Sequence, residues 1–137
     1  MNLFTDTSGW IALFNPRDKY HTSVRLGLGT LEGQDIEFVT TDYVLAETIT
    51  HLMSRINHFT AAKFGNWVLD QPNVRVLHVS DMLWDEAWAL FQQYDDKEFS
   101  FTDCTSFVVM NQRTLRDAFT FDRHFEQMGF RLWPPQA

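Results

Sequence analysis

One cysteine, Cys104, is all that this 137-residue chain contains, which rules out an internal disulfide and any zinc site built on cysteines. A chain with so little thiol is expected in a reducing, cytoplasmic setting. Basic residues are also scarce: 11 Lys and Arg stand against 18 Asp and Glu, for a net charge of −7. A domain that holds nucleic acid through its overall field is normally basic. Any nucleic acid bound here must therefore be held by a metal ion and by local Arg or Lys groups, and the same acidity suits capture by a basic partner protein. No run approaches the roughly 18 apolar residues that a membrane-crossing helix needs. The start, MNLFTDTSG, has no basic stretch ahead of an apolar one and does not read as a signal peptide. A glycine-rich phosphate loop is missing, since Gly27 and Gly29 do not follow a strand. His21, His51, His58, His78 and His124 lack zinc-site spacing, and Ser8, Ser100 and Ser106 lack the context of a nucleophile elbow.

What is present is an apolar, aromatic chain: 45% hydrophobic and 15% aromatic, with 13 Phe and 5 Trp. Aromatic packing should dominate one core, and the tryptophans read as core or interface rather than as base-stacking platforms. With no linker, repeat or charge block, residues 1–137 are expected to form one domain. Short strand-like runs alternate with helical ones. Strands are expected at 2–5 (NLFT), 36–40 (IEFVT), 74–79 (VRVLHV), 117–121 and 130–133. Helices are expected at 7–14, 20–31, 42–57, from about Thr60 (as cap) to Asp70, 81–94, 102–114 and 122–128. Strands joined by helical crossovers imply a three-layer α/β/α sandwich around a mostly parallel sheet, in which ligands gather outside the carboxyl ends of the strands.

Four acids bear on that edge. Asp6 and Asp122 follow the first and fourth strands, and each has a plain alternative as the cap of the helix that comes next. Glu47 lies on the helix directly after the second strand, away from the centre of its apolar stripe, where a solvated role is the alternative. Asp103 shares a stripe with Phe107 and Met110 on a helix that is apolar nearly all round. A lone buried carboxylate costs several kcal/mol unless paired, so Asp103 calls for a metal, an ion pair with an Arg such as Arg123, or a retained proton. Topology brings Asp6, Asp122 and Glu47 together but leaves Asp103 unplaced. Gathered carboxylates repel by roughly 4 kcal/mol per pair at about 4 Å and an effective dielectric near 20. A divalent cation relieves this, and oxygen-only ligation suits Mg²⁺ or Mn²⁺. Arg17, Lys19, Arg55, Lys63 and Arg123 are the cationic groups at hand, with Arg123 nearest the acids in sequence.

Asp6-Thr7-Ser8 after the first strand, Glu47 within AETITHL, SFTDCTSF around Asp103, and Thr120-Phe121-Asp122-Arg123-His124-Phe125 followed by Gly129-Phe130 occur in an order that resembles the PIN-domain family. That family comprises metal-dependent ribonucleases, among them the VapC-type toxins of toxin–antitoxin pairs. The resemblance spans nearly the whole chain. It implies that Asp6, Glu47, Asp103 and Asp122 form an acidic quartet holding Mg²⁺ or Mn²⁺, with Thr5, Ser8, Thr102 and Thr120 as polar helpers. It also implies an RNA substrate, a cognate antitoxin protein and a possible homodimer. Two other readings stand beside it: a PIN-like RNA-binding or scaffold module without catalysis, and a phosphatase with a strand-end Asp nucleophile. The start FTDTSG is similar to the latter, but Ser8 stands where its second Asp belongs.

Overall fold

A computed structural model of the protein describes residues 1–136. Five strands form one sheet in the order β3-β2-β1-β4-β5, and every neighbouring pair is parallel. The elements along the chain are β1 (Asn2–Thr5), α1 (Thr7–Phe14), α2 (His21–Thr30), β2 (Glu37–Thr41), α3 (Asp42–Arg55), α4 (His58–Asp70), β3 (Val74–Leu77), α5 (Asp81–Gln93), α6 (Phe101–Gln112), β4 (Asp117–Phe119), α7 (His124–Gln127) and β5 (Arg131–Trp133).

Consecutive residues of the inner strands are buried, Leu3 to Thr5 in β1 and Phe38 to Thr41 in β2, so both faces of the sheet are covered. The edge strands β3 and β5 are only partly buried. Trp10, Phe4, Phe64, Phe107, Phe119 and Phe125 are the largest fully buried side chains, which bears out an aromatic core. They meet mostly edge-on or tilted, as Phe107 and Phe125 do at 5.0 Å and 78°. α3 packs against α1, α4 and α6, and α5 against α6.

The strand order determines where a ligand belongs. From β1 the chain moves outward to β2 and β3, then crosses back to lay β4 on the other side of β1. The switch point therefore lies between β1 and β4, the position where open parallel sheets bind ligands at their carboxyl ends.

Several boundaries differ from expectation, and four elements show a local reason. β3 ends at Leu77 rather than 79 because the Val79 amide donates to Asp42 Oδ1 at 2.9 Å. β4 ends at Phe119 rather than 121, and α7 is confined to 124–127. Between them the Asp122 amide donates to Thr120 Oγ1 at 3.0 Å and makes a turn. α4 is capped by Asn57, whose Oδ1 accepts from the Thr60 amide at 2.8 Å, so Thr60 lies inside the helix it was expected to open.

Candidate active site

Asp6 follows β1 directly and occupies the N-cap position of α1, yet its side chain makes no cap bond. The helix-cap alternative for Asp6 is therefore set aside. Its Oδ2 instead accepts from the Thr120 hydroxyl at 3.2 Å, across the β1–β4 seam, and its amide donates to the Phe119 carbonyl at 3.1 Å. Gly9 makes this approach possible: a Cβ there would run into the carbonyl oxygen of Phe119. Thr120 also touches Ser8 Oγ at 3.1 Å, and Ser8 Oγ accepts from the Phe121 amide at 2.9 Å. Since the single Thr120 proton goes to Asp6, Ser8 supplies the proton of the Ser8–Thr120 contact. The Ser8 and Thr120 hydroxyls thus bridge the ends of β1 and β4 beside Asp6. The Thr5 hydroxyl donates back to the Leu3 carbonyl at 3.2 Å.

Glu47 reaches the same edge because β2 passes into α3 without a loop. Thr41 ends the strand and caps the helix, accepting from the Val44 amide at 3.1 Å, so Glu47 stands about one and a half turns in. Its neighbour Thr48 places its hydroxyl 3.0 Å from Thr7 Oγ1 and 2.8 Å from the Val44 carbonyl, tying α3 to the start of α1. Glu47 is exposed, as its alternative reading had it, but it lines the acidic cleft and not open surface.

Asp103 is placed by a capping box at the start of α6. Ser100 Oγ accepts from the Asp103 amide at 3.0 Å, and the Ser100 amide donates to Asp103 Oδ2 at 3.1 Å. Its expected burial is confirmed, at 8% exposed. The ion-pair alternative with Arg123 is not what the fold builds: Arg123 Nη1 lies 3.2 Å from Glu126 Oε1 on the exposed side. His124 takes that place. Its Nδ1 stands 3.4 Å from Asp103 Oδ2 and 3.2 Å from Asp122 Oδ1, aligned for a hydrogen bond to neither. Asp122 Oδ1 accepts the His124 amide at 2.9 Å, so Asp122 does steady the turn into α7 while facing the cleft.

All four acids line one cleft of about 340 Å³, shared with Ser8, Asp18, Tyr20 and His51. A wider groove of about 640 Å³, lined by Tyr43, Glu47, Thr50, His51, Ser54 and Thr102, shares Glu47 and His51 with it. The carboxyls feel both burial and one another. Burial first, then Asp103, Glu47 and Asp122, push Asp6 up to about 8 against the opposing Thr7 amide. Desolvation also raises Glu47, opposed by the Thr102 hydroxyl and reinforced by Asp103. Asp103 is raised by desolvation and by Asp122, with the Ser100 amide and His124 working the other way. Such mutual repulsion is what a cation in the cleft would relieve, and carboxylate oxygens are the donors Mg²⁺ and Mn²⁺ take. One ligand atom from each of Asp103, Asp122 and His124 already lies within 4.8 Å of the others.

Two groups escaped the sequence reading. His124 was weighed only as a zinc ligand by spacing, whereas its position two residues after a strand-end Asp was the signal available. The Thr7–Thr48 link carries no sequence pattern at all.

Comparisons with known proteins bear on the family and the fold. The PIN domain family model matches residues 3–131. The 23S rRNA-specific endonuclease VapC20 of Mycobacterium tuberculosis (strain ATCC 25618 / H37Rv) is 37% identical over 129 residues, covering 93% of this chain and 95% of that protein. The crystal structure of M. tuberculosis VapC20, described as a Sarcin-Ricin loop cleaving toxin, superposes with a TM-score of 0.84 at 34% identity, over 93% of this chain and 95% of that one. VapBC2 from Rickettsia felis, bound to a promoter DNA fragment, shares the fold at TM-score 0.69 and 13% identity, over 96% and 97% of the two chains. FitAcB from Neisseria gonorrhoeae does so at 0.66 and 17%, over 98% of each chain. This chain belongs to the PIN-domain family.

Proposed function

We propose that the protein is a divalent-metal-dependent endoribonuclease and the toxin of a toxin–antitoxin pair. The observation that carries this reading is the convergence of Asp6, Glu47, Asp103 and Asp122 on one cleft at the β1–β4 switch point. Membership of the PIN-domain family and 37% identity to a 23S rRNA-specific endonuclease support the ribonuclease assignment and make 23S ribosomal RNA the first substrate to assay. The 34%-identical crystal structure described as a Sarcin-Ricin loop cleaving toxin favours the toxin role, and the net charge of −7 suits a basic antitoxin partner. Among the described residues, no helix is long and apolar enough to cross a membrane.

Asp6, Asp103, Asp122 and Glu47 would hold Mg²⁺ or Mn²⁺. When bound, such an ion offsets the charge of phosphate oxygens and makes a nearby water more acidic. The rest is the work of the chain. Thr120 orients the Asp6 carboxylate, and the Ser100 amide fixes Asp103. Glu47 is the exposed acid with a raised pKa, so it can take a proton from the attacking water. The wider groove, continuous through Glu47 and His51, would let a polymer run past the acids. Lys19, 4.9 Å over the ring of cleft-lining Tyr20, and Arg123, next to Asp122 in the chain, are cations that would meet its phosphates.

The test is cleavage of purified 23S rRNA with Mg²⁺ or Mn²⁺, with chelator, and with Asp103→Asn. Discrete fragments that vanish in the last two arms are expected. Fragments unaffected by both chelator and substitution would overturn the assignment.

A further inference from the structure

We propose that His124 is a nitrogen ligand of the metal ion in the acidic cleft, bound through Nδ1 between Asp103 and Asp122. This rests on the metal-dependent reading above and adds to it a donor that is not a carboxylate. The spacing is that of ligands sharing one ion. Around an octahedral ion with bonds of about 2.1 Å, adjacent ligand atoms stand about 3 Å apart. His124 Nδ1 lies 3.4 Å from Asp103 Oδ2 and 3.2 Å from Asp122 Oδ1.

A second observation points the same way. Nδ1 is a buried nitrogen with no hydrogen-bond partner, although two carboxylates lie beside it. An imidazole placed only to pair with those acids would be expected to align an N–H on one of them. In the tautomer that carries its proton on Nε2, Nδ1 instead presents a lone pair to the space between the acids. The ring is also held in place. Its own amide is bound to Asp122 Oδ1 at 2.9 Å, and it packs edge-on against buried Phe99 at 5.3 Å and 77°.

The consequence is a mixed oxygen and nitrogen donor set. Mg²⁺ takes oxygen ligands and keeps its waters, whereas imidazole suits transition ions, so of these two ions it favours Mn²⁺. His124 therefore biases the site towards Mn²⁺ without changing its acidic frame.

The experiment strips the wild-type protein with chelator and titrates it calorimetrically with Mn²⁺ and, separately, Mg²⁺. Working at about pH 8 keeps an ordinary histidine neutral. His124→Gln and His124→Ala are measured alongside. Mn²⁺ affinity should fall about tenfold or more in the variants, since even outer-shell partners cost that much, while Mg²⁺ affinity changes about twofold or less. Pulsed electron paramagnetic resonance of Mn²⁺-loaded wild-type protein should show a coupled nitrogen nucleus that disappears in His124→Gln. Equal losses for both ions, or a nitrogen signal that survives in the variant, would overturn the inference. Mn²⁺ bound to wild-type protein with no coupled nitrogen would overturn it alone. Neither ion binding at all would overturn the metal-dependent reading with it. The wild-type spectrum decides even if both variants fail to fold.

Discussion

The Thr120 hydroxyl donates to Asp6 Oδ2 at 3.2 Å, joining residues 114 positions apart in the sequence. Donors run in one direction through this contact, from the Phe121 amide to Ser8, from Ser8 to Thr120, and from Thr120 to Asp6. Asp6 is the terminal acceptor of the chain.

Thr120→Val keeps the shape and removes the hydroxyl. Asp6 then loses a donor, while the Asp122 amide and the Ser8 hydroxyl lose an acceptor. The expected cost is about 1–3 kcal/mol, read as a lower urea midpoint, together with weaker RNA cleavage. An unchanged midpoint would show that the chain of hydroxyls does not support the seam.

Gly9→Ala sets two effects against each other. Helix propensity alone favours alanine by about 1 kcal/mol. The Cβ, however, meets the backbone carbonyl of Phe119, which cannot rotate away as a side chain would. Overpacking costs about 1–3 kcal/mol, so a lower melting temperature and a disturbed Asp6–Phe119 junction are expected. A higher melting temperature would mean that α1 shifts freely over β4.

The metal-free protein should lose stability as pH rises. Asp6 is raised from 3.8 to about 8 in the folded chain, and Glu47 and Asp103 are raised as well. Between those values the folded state binds more protons than the unfolded state, so unfolding free energy falls with pH. The contribution is fully present below about pH 4 and is lost as pH approaches 8. Urea unfolding in chelator at acidic and mildly alkaline pH should show this slope, and Asp6→Asn should flatten it. A stability that rises over the same window would contradict the raised carboxyls.

Metal should reverse that trend. An ion bound only to the folded protein adds about 2.7 kcal/mol at one hundred times its dissociation constant. Binding displaces protons from the raised carboxyls, so Mn²⁺ should bind more tightly towards pH 8 and raise the melting temperature most there. Asp6→Asn and Asp103→Asn should abolish the shift. Equal shifts in those variants would place the ion elsewhere.

Much of this arrangement was legible in the sequence, and the reasons differ by residue. VRVL and NLFT announce strands through local composition, and a parallel sheet follows from the helical crossovers between them. Asp6 and Asp122 were placed by topology, because a strand end is a definite location. Asp103 was marked by burial, but only the Ser100 capping box shows how it is aimed. The end of β4 was misjudged because a hydroxyl–amide turn at Thr120 and Asp122 leaves no trace in hydrophobic periodicity. His124 escaped because its two carboxylate neighbours come from α6 and the β4–α7 turn, and single-chain spacing records only one of them.

The sheet order has a consequence for the chain as it is being made. β1 is made before β4 but needs it along one of its edges, and Asp6 finds Thr120 only after the next 114 residues have been added. A nascent polypeptide of this order carries no assembled acidic centre until β4 has reached β1. The folding steps that precede that pairing therefore pass without the complete acidic cleft.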